Sequence, residues 1–150
     1  MDAEKLNTVL RGVNNFGGIF DEKQLEGVKI MSLPVMLIIN SGEHWIGIYL
    51  DEKIIEIMDS IGAISCKNLN FQLCRFICAH MKGKKLVASP RLQNENSSDC
   101  GKYVVSFFIF KSLTQKSLKY FLKNFSQDYT KNSRNISKIF DTVQNLIEKF

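Results

Sequence analysis

No apolar run in this chain approaches the roughly 20 residues that a membrane-spanning helix needs. The opening segment MDAEKLNTVLRGV begins with the acids Asp2 and Glu4 and is amphipathic, where a secretory leader would be basic and then continuously apolar. Both absences point to a soluble, intracellular protein with no membrane partner. Zinc-ligand spacing is missing too. There is no Cys-x2-Cys pair, and the only two histidines, His44 and His80, are not spaced as ligands, so no metal is expected. The four cysteines, Cys66, Cys74, Cys78 and Cys100, are irregularly spaced in a chain large enough to bury its own core, which favours reduced thiols over a disulfide framework. Internal repeats, low-complexity segments and linkers are also lacking, so residues 1–150 are expected to form a single domain, working as a monomer.

What is present fits a globular domain, with 45% apolar and 23% charged residues. The net charge of +5 is unevenly placed. Residues 1–110 hold 12 Lys/Arg against 12 Asp/Glu, and residues 111–150 hold 8 against 3. Such a basic end on a neutral body suits a polyanion partner such as DNA, or else a solvated lysine-rich helical face. Leu6, Val9, Leu10 and Val13 behind Asp2 predict an opening helix that stops before Gly17-Gly18, with those glycines in a left-handed cap. VMLIIN at 35–40 reads as a buried strand, and HWIGIYL with KIIEIMD as a hairpin turning at Asp51-Glu52. Leu69, Leu73, Phe76, Ile77 and His80 mark a helix, and KLVAS a short strand ended by Pro90. Helical spacing returns at Leu118 to Phe125 and at Ile136 to Phe150. The order predicts an α+β fold, a mixed or antiparallel sheet against a buried helix, followed by C-terminal helices.

That buried helix begins at an abrupt seam, QNENSSDCGKYVVSFF, where a polar loop meets a run in which seven of the eight residues Tyr103 to Phe110 are apolar. With Ser97 or Ser98 as N-cap, Cys100 falls in the first turn, where free N–H groups and the helix dipole favour a thiolate. A small residue packed at a helix start is the plainer alternative. Of the histidines, His80 at a helix C-terminus suits a structural cation. His44 opens a hairpin strand, and an even loop places His44, Ile46, Ile48 and Leu50 on one face with Ile55, Ile57 and Asp59. A carboxylate beside an imidazole fixes the tautomer and stabilises the imidazolium formed when a nucleophile is deprotonated; Asp59 as a simple turn residue is the alternative. Gln93, seven residues before Cys100, offers an amide N–H that, with the Cys100 backbone N–H, can hold an oxyanion.

These motifs, GEHWIGIYL, EIMDSIG and LQNENSSDCGKYVVSF, resemble the adenovirus maturation protease (adenain) family and its relatives, the SUMO-deconjugating, ubiquitin-like cysteine proteases. The likeness spans about residues 1–110, and the seven-residue step from Gln93 to Cys100 is closer to adenain than to the SUMO proteases. It implies Cys100 as nucleophile, His44 as general base and then acid, Asp59 as its orienting partner, Gln93 in the oxyanion hole and Trp45 flanking a narrow channel for substrate glycines. The implied activity is an endopeptidase cutting viral or virus-like precursors beside Gly-Gly or Gly-X-Gly. A deconjugating isopeptidase for SUMO or ubiquitin-like tails is the alternative, and a catalytically silent nucleic-acid-binding module a further one. A viral enzyme implies the host nucleus or the virion. The chemistry requires no cofactor; DNA or an activating peptide is the accessory the resemblance implies. No cysteine lies between residues 79 and 99, and Cys66, Cys74 and Cys78 read as part of or next to a helix, which argues against a disulfide-tethered activator.

Overall fold

The computed structural model describes residues 1–42, 44–62 and 71–149. Its centre is a five-stranded mixed sheet in the order β1-β2-β3-β4-β5, formed by Phe16–Asp21, Val35–Ser41, His44–Leu50, Ile54–Met58 and Lys85–Ala88. β2, β3 and β4 are antiparallel, while β1 joins β2 and β5 joins β4 in parallel. Both faces are covered, which explains why VMLIIN is apolar without alternation. Met36 and Ile38 pack toward α3 (Cys100–Thr114), whereas Leu37 and Ile39 pack toward α2 (Phe71–His80). Residue Leu69, at the expected start of the α2 pattern, and Cys66 lie outside the described residues.

α3 is apolar on nearly every side because it is enclosed. The sheet covers one side, and α1 (Ala3–Leu10), the short α4 (Leu118–Phe121) and the long α5 (Tyr129–Glu148) cover the rest. Leu6 and Leu10 of α1 and Ile136, Phe140 and Val143 of α5 enter this core at helical spacing. Asp2 caps α1 by accepting the Lys5 N–H at 2.8 Å. One buried ion pair ties the layers together: Glu56 of β4 accepts from Lys111 of α3 and from the Leu118 N–H at the start of α4. Among the described residues no helix is long and apolar enough to cross a membrane.

Three expectations need correction. Gly17-Gly18 do not cap the first helix, which ends at Leu10; they lie inside β1. A Cβ at Gly17 would stand 2.7 Å from Val35 Cγ2 and 2.8 Å from Leu37 Cδ2, so the glycine is what lets β1 lie flush on β2. Neither Ser97 nor Ser98 caps α3. The helix starts at Cys100 behind Asp99, whose carboxylate instead accepts from Ser97 Oγ at 2.9 Å and from Ser133 Oγ of α5 at 2.7 Å. At the end of α2, His80 lies against Phe76 with ring centroids 4.5 Å apart, and burial and the nearby Lys84 lower its pKa, favouring the neutral ring over the expected cation.

Candidate active site

Three elements converge at one end of the sheet. The hairpin register pairs Leu50 with Ile55 and Ile48 with Ile57, the even loop that puts His44 and Asp59 on one face. β3 starts at His44 because Ser41 pairs with it across a tight turn in which Gly42 adopts φ 75°, a left-handed conformation costly for any residue with a side chain. β4 ends at Met58 and hands on Asp59, whose backbone is held from both sides by Ser89 just beyond β5. Ser89 Oγ accepts the Asp59 N–H at 2.8 Å and donates to the Asp59 carbonyl at 2.7 Å.

Asp59 is fully buried, and its Oδ1 lies 2.6 Å from His44 Nε2. A carboxylate can only accept here, so Nε2 carries the proton and Nδ1 is the nitrogen left for Cys100. The same oxygen accepts the Ile61 N–H at 3.1 Å, so the turn role and the histidine partner coexist in one side chain.

Cys100 is the first residue of α3, and its thiol lies close enough to His44 for each to shift the other's pKa. Burial pushes the thiol pKa up. The bond to His44, the N–H groups of Trp45 and Gly101 and the imidazolium charge more than offset it, so the pKa lies below the ordinary thiol value. For His44, burial works to lower the pKa, but the bonds to Asp59 and Cys100 outweigh it and raise it to about 9. The two shifts run in opposite directions because the charge on each group favours the charge on the other, the arrangement that suits a nucleophile beside its base.

Trp45 points the other way from His44, as strand alternation requires. Its indole donates to the Met1 carbonyl at 2.9 Å, and its Cδ1 would be 3.5 Å from a Cβ at Gly101, beside the nucleophile candidate. Gln93 is buried, and its amide is engaged on both ends: Ser60 Oγ donates to Oε1 at 2.6 Å and Nε2 donates to the Ser97 carbonyl at 3.0 Å. It thus sits between the residue after Asp59 and the loop entering Cys100. His44 and Asp59 are joined directly, Cys100 lies beside His44 and the Trp45 backbone N–H, and Gln93 connects to the site through Ser60 and Ser97.

Sequence reasoning passed over Ser60, Ser89 and Asn132. Asn132, fully buried on α5, donates to the carbonyl of Leu92, next to Gln93, at 3.0 Å. A hydroxyl directly after an acidic candidate, in Asp-Ser, was the one available hint. The other two act across 30 and 40 residues of chain, beyond any local pattern.

A family model described as Ulp1 protease family, C-terminal catalytic domain, matches residues 4–143. No curated protein matches the chain. Among solved structures, the central domain of the uncharacterized Lpg1148 protein from Legionella pneumophila superposes with a TM-score of 0.59 at 10% identity, covering 97% of this chain and 98% of that one. ChlaDub1 from Chlamydia trachomatis superposes with a TM-score of 0.53 at 13% identity over 97% of this chain and 79% of its own. At these identities the likeness is one of fold.

Proposed function

The chain belongs to the Ulp1 protease family and is a cysteine protease, and from that premise we propose that it hydrolyses the bond after a Gly-Gly terminus, with Cys100, His44 and Asp59 as its catalytic triad. The observation that carries this reading is the 2.6 Å contact between Asp59 and the His44 ring, with the Cys100 thiol at a helix start close enough for His44 and Cys100 each to shift the other's pKa. In the proposed cycle the Cys100 thiolate attacks the scissile carbonyl, forming the S–C bond while the carbonyl π pair moves onto oxygen. The oxyanion is held by the Gln93 amide and the Cys100 backbone N–H. Collapse expels the amine, which takes its proton from the His44 imidazolium. Water, deprotonated by the now neutral His44, then hydrolyses the thioester and restores the thiolate.

The Trp45 indole, packed beside Gly101, supports a channel wall that a chain without Cβ atoms would fit. Family membership favours a ubiquitin-like or SUMO-like tail as substrate. The seven-residue step from Gln93 to Cys100 favours the second reading, processing of viral precursors at Gly-rich sites. DNA is the accessory we propose for the basic end: Lys131, Arg134 and Lys138 are exposed on α5, and Lys116, Lys119 and Lys123 around α4.

The deciding experiment follows coumarin release from ubiquitin, SUMO and a Gly-Gly peptide, each as its C-terminal amide, with and without duplex DNA. Turnover that vanishes in Cys100→Ala and is fastest on a folded ubiquitin-like protein is the expected result. Equal rates on the short peptide, raised by DNA, would favour precursor processing. Turnover that survives Cys100→Ala would overturn the triad.

A further inference from the structure

We infer that Ser60 is a positioning residue, which locks the Gln93 side-chain amide in the single orientation that can receive an oxyanion. The inference rests on the reading of Gln93 as oxyanion donor. An amide group looks nearly the same after a half-turn, so a glutamine used as a donor must be told which end is nitrogen. Two contacts do so here. The Ser97 carbonyl can only accept, so the end facing it at 3.0 Å is Nε2. Oε1 then faces Ser60, whose hydroxyl is obliged to donate at 2.6 Å. One Nε2 hydrogen goes to Ser97, and on the proposed reading of Gln93 the other is the one offered to the oxyanion.

Ser60 holds more than the amide. Its carbonyl accepts the N–H groups of both Leu92 and Gln93, at 2.8 and 3.2 Å, so one residue grips the Gln93 loop by backbone and side chain together. Both Ser60 and Gln93 are almost entirely shielded from solvent, at 1% and 2% exposure, so no water replaces a lost hydroxyl. Ser60 is also the covalent neighbour of Asp59, whose backbone Ser89 clamps. The oxyanion donor and the carboxylate behind His44 therefore share one rigid dipeptide, and the distance between the two halves of the site is set by a single peptide unit.

The test compares Ser60→Ala, Gln93→Ala and the double variant on the Gly-Gly peptide coumarin amide, together with iodoacetamide alkylation of Cys100. Alkylation draws on the thiolate–imidazolium pair and forms no oxyanion. Removing one oxyanion donor typically costs about 100-fold or more in kcat. Ser60→Ala should lose about tenfold or more in kcat, with KM within about twofold, an unchanged Cys100 alkylation rate and pH profile, and no further loss when added to Gln93→Ala. Ser60→Cys, close in volume and a weak donor, should fall between the two and gives the same answer if the alanine variant does not fold. The inference is overturned by an undiminished Ser60→Ala effect in the Gln93→Ala background, by alkylation falling in step with kcat, or by no loss at all. Full activity of Gln93→Ala with Ser60 intact would instead remove the donor reading itself.

Discussion

The His44 ring is asked to do two things at once, to hold a proton against Asp59 and to keep the neighbouring thiol ionised. Burial alone would discharge both groups; Asp59 first and Cys100 after it raise His44 to about 9, and His44 in turn lowers the Cys100 pKa. The consequence is measurable as the pH dependence of Cys100 alkylation. In the wild type the inflection should lie below the ordinary thiol value of 9.0. In His44→Ala burial still pushes the thiol up while its largest opposing contact is gone, so the inflection should move upward and the rate at pH 7 fall about tenfold or more. An unchanged inflection would mean that the helix start and the N–H groups of Trp45 and Gly101 suffice without the imidazole.

At the scale of elements, the proposed catalytic geometry reduces to how closely α3 sits on β3, because β3 carries His44 and α3 carries Cys100. Gly47 sets that spacing. A Cβ there would come within 2.9 Å of Val104 Cγ1 and 3.1 Å of Phe108 Cζ, two α3 side chains in the middle of the packed core. Gly47→Ala should therefore cost about 1–3 kcal/mol by overpacking, seen as a Tm loss of about 2–4 °C per kcal/mol. It should also slow Cys100 alkylation, because the helix lifts away from the histidine strand. Gly12→Ala is the control, since nothing lies within 4 Å of the added carbon and the site is exposed. Equal Tm values for the two variants would show that α3 can shift at no cost. α5 bears on the same end of the molecule through Asn132 to Leu92 and Ser133 to Asp99, so the basic C-terminal region is built into the site's support.

For the whole molecule the coupled pair makes a prediction about stability. The raised His44 contributes fully below the unfolded value of 6.5, and that contribution is lost as pH climbs through about 9. The lowered Cys100 contributes fully above the ordinary thiol value of 9.0 and loses that contribution as pH falls through its folded pKa. Between 6.5 and 9, wherever pH exceeds the folded Cys100 value, the slopes oppose and the wild-type urea midpoint should be flat. Cys100→Ala leaves only the histidine slope, so its midpoint should fall across that window, by on the order of 3 kcal/mol at most. A flat line for that variant would mean His44 is not raised once the thiol is gone. The order and kind of most elements, the α+β class and the shared face of His44 and Asp59 were determined by the sequence alone, because period-2 and period-3.6 patterning and hairpin parity are local properties of the chain. Tertiary structure decided the rest. β1 was hidden because its glycines matter only against Val35 and Leu37, and Ser60, Ser89 and Asn132 were hidden because their partners lie 30 to 40 residues away. The protonation of the His44–Cys100 pair was likewise beyond the sequence, since it depends on burial balanced against contacts that exist only once the sheet end and the helix start have met.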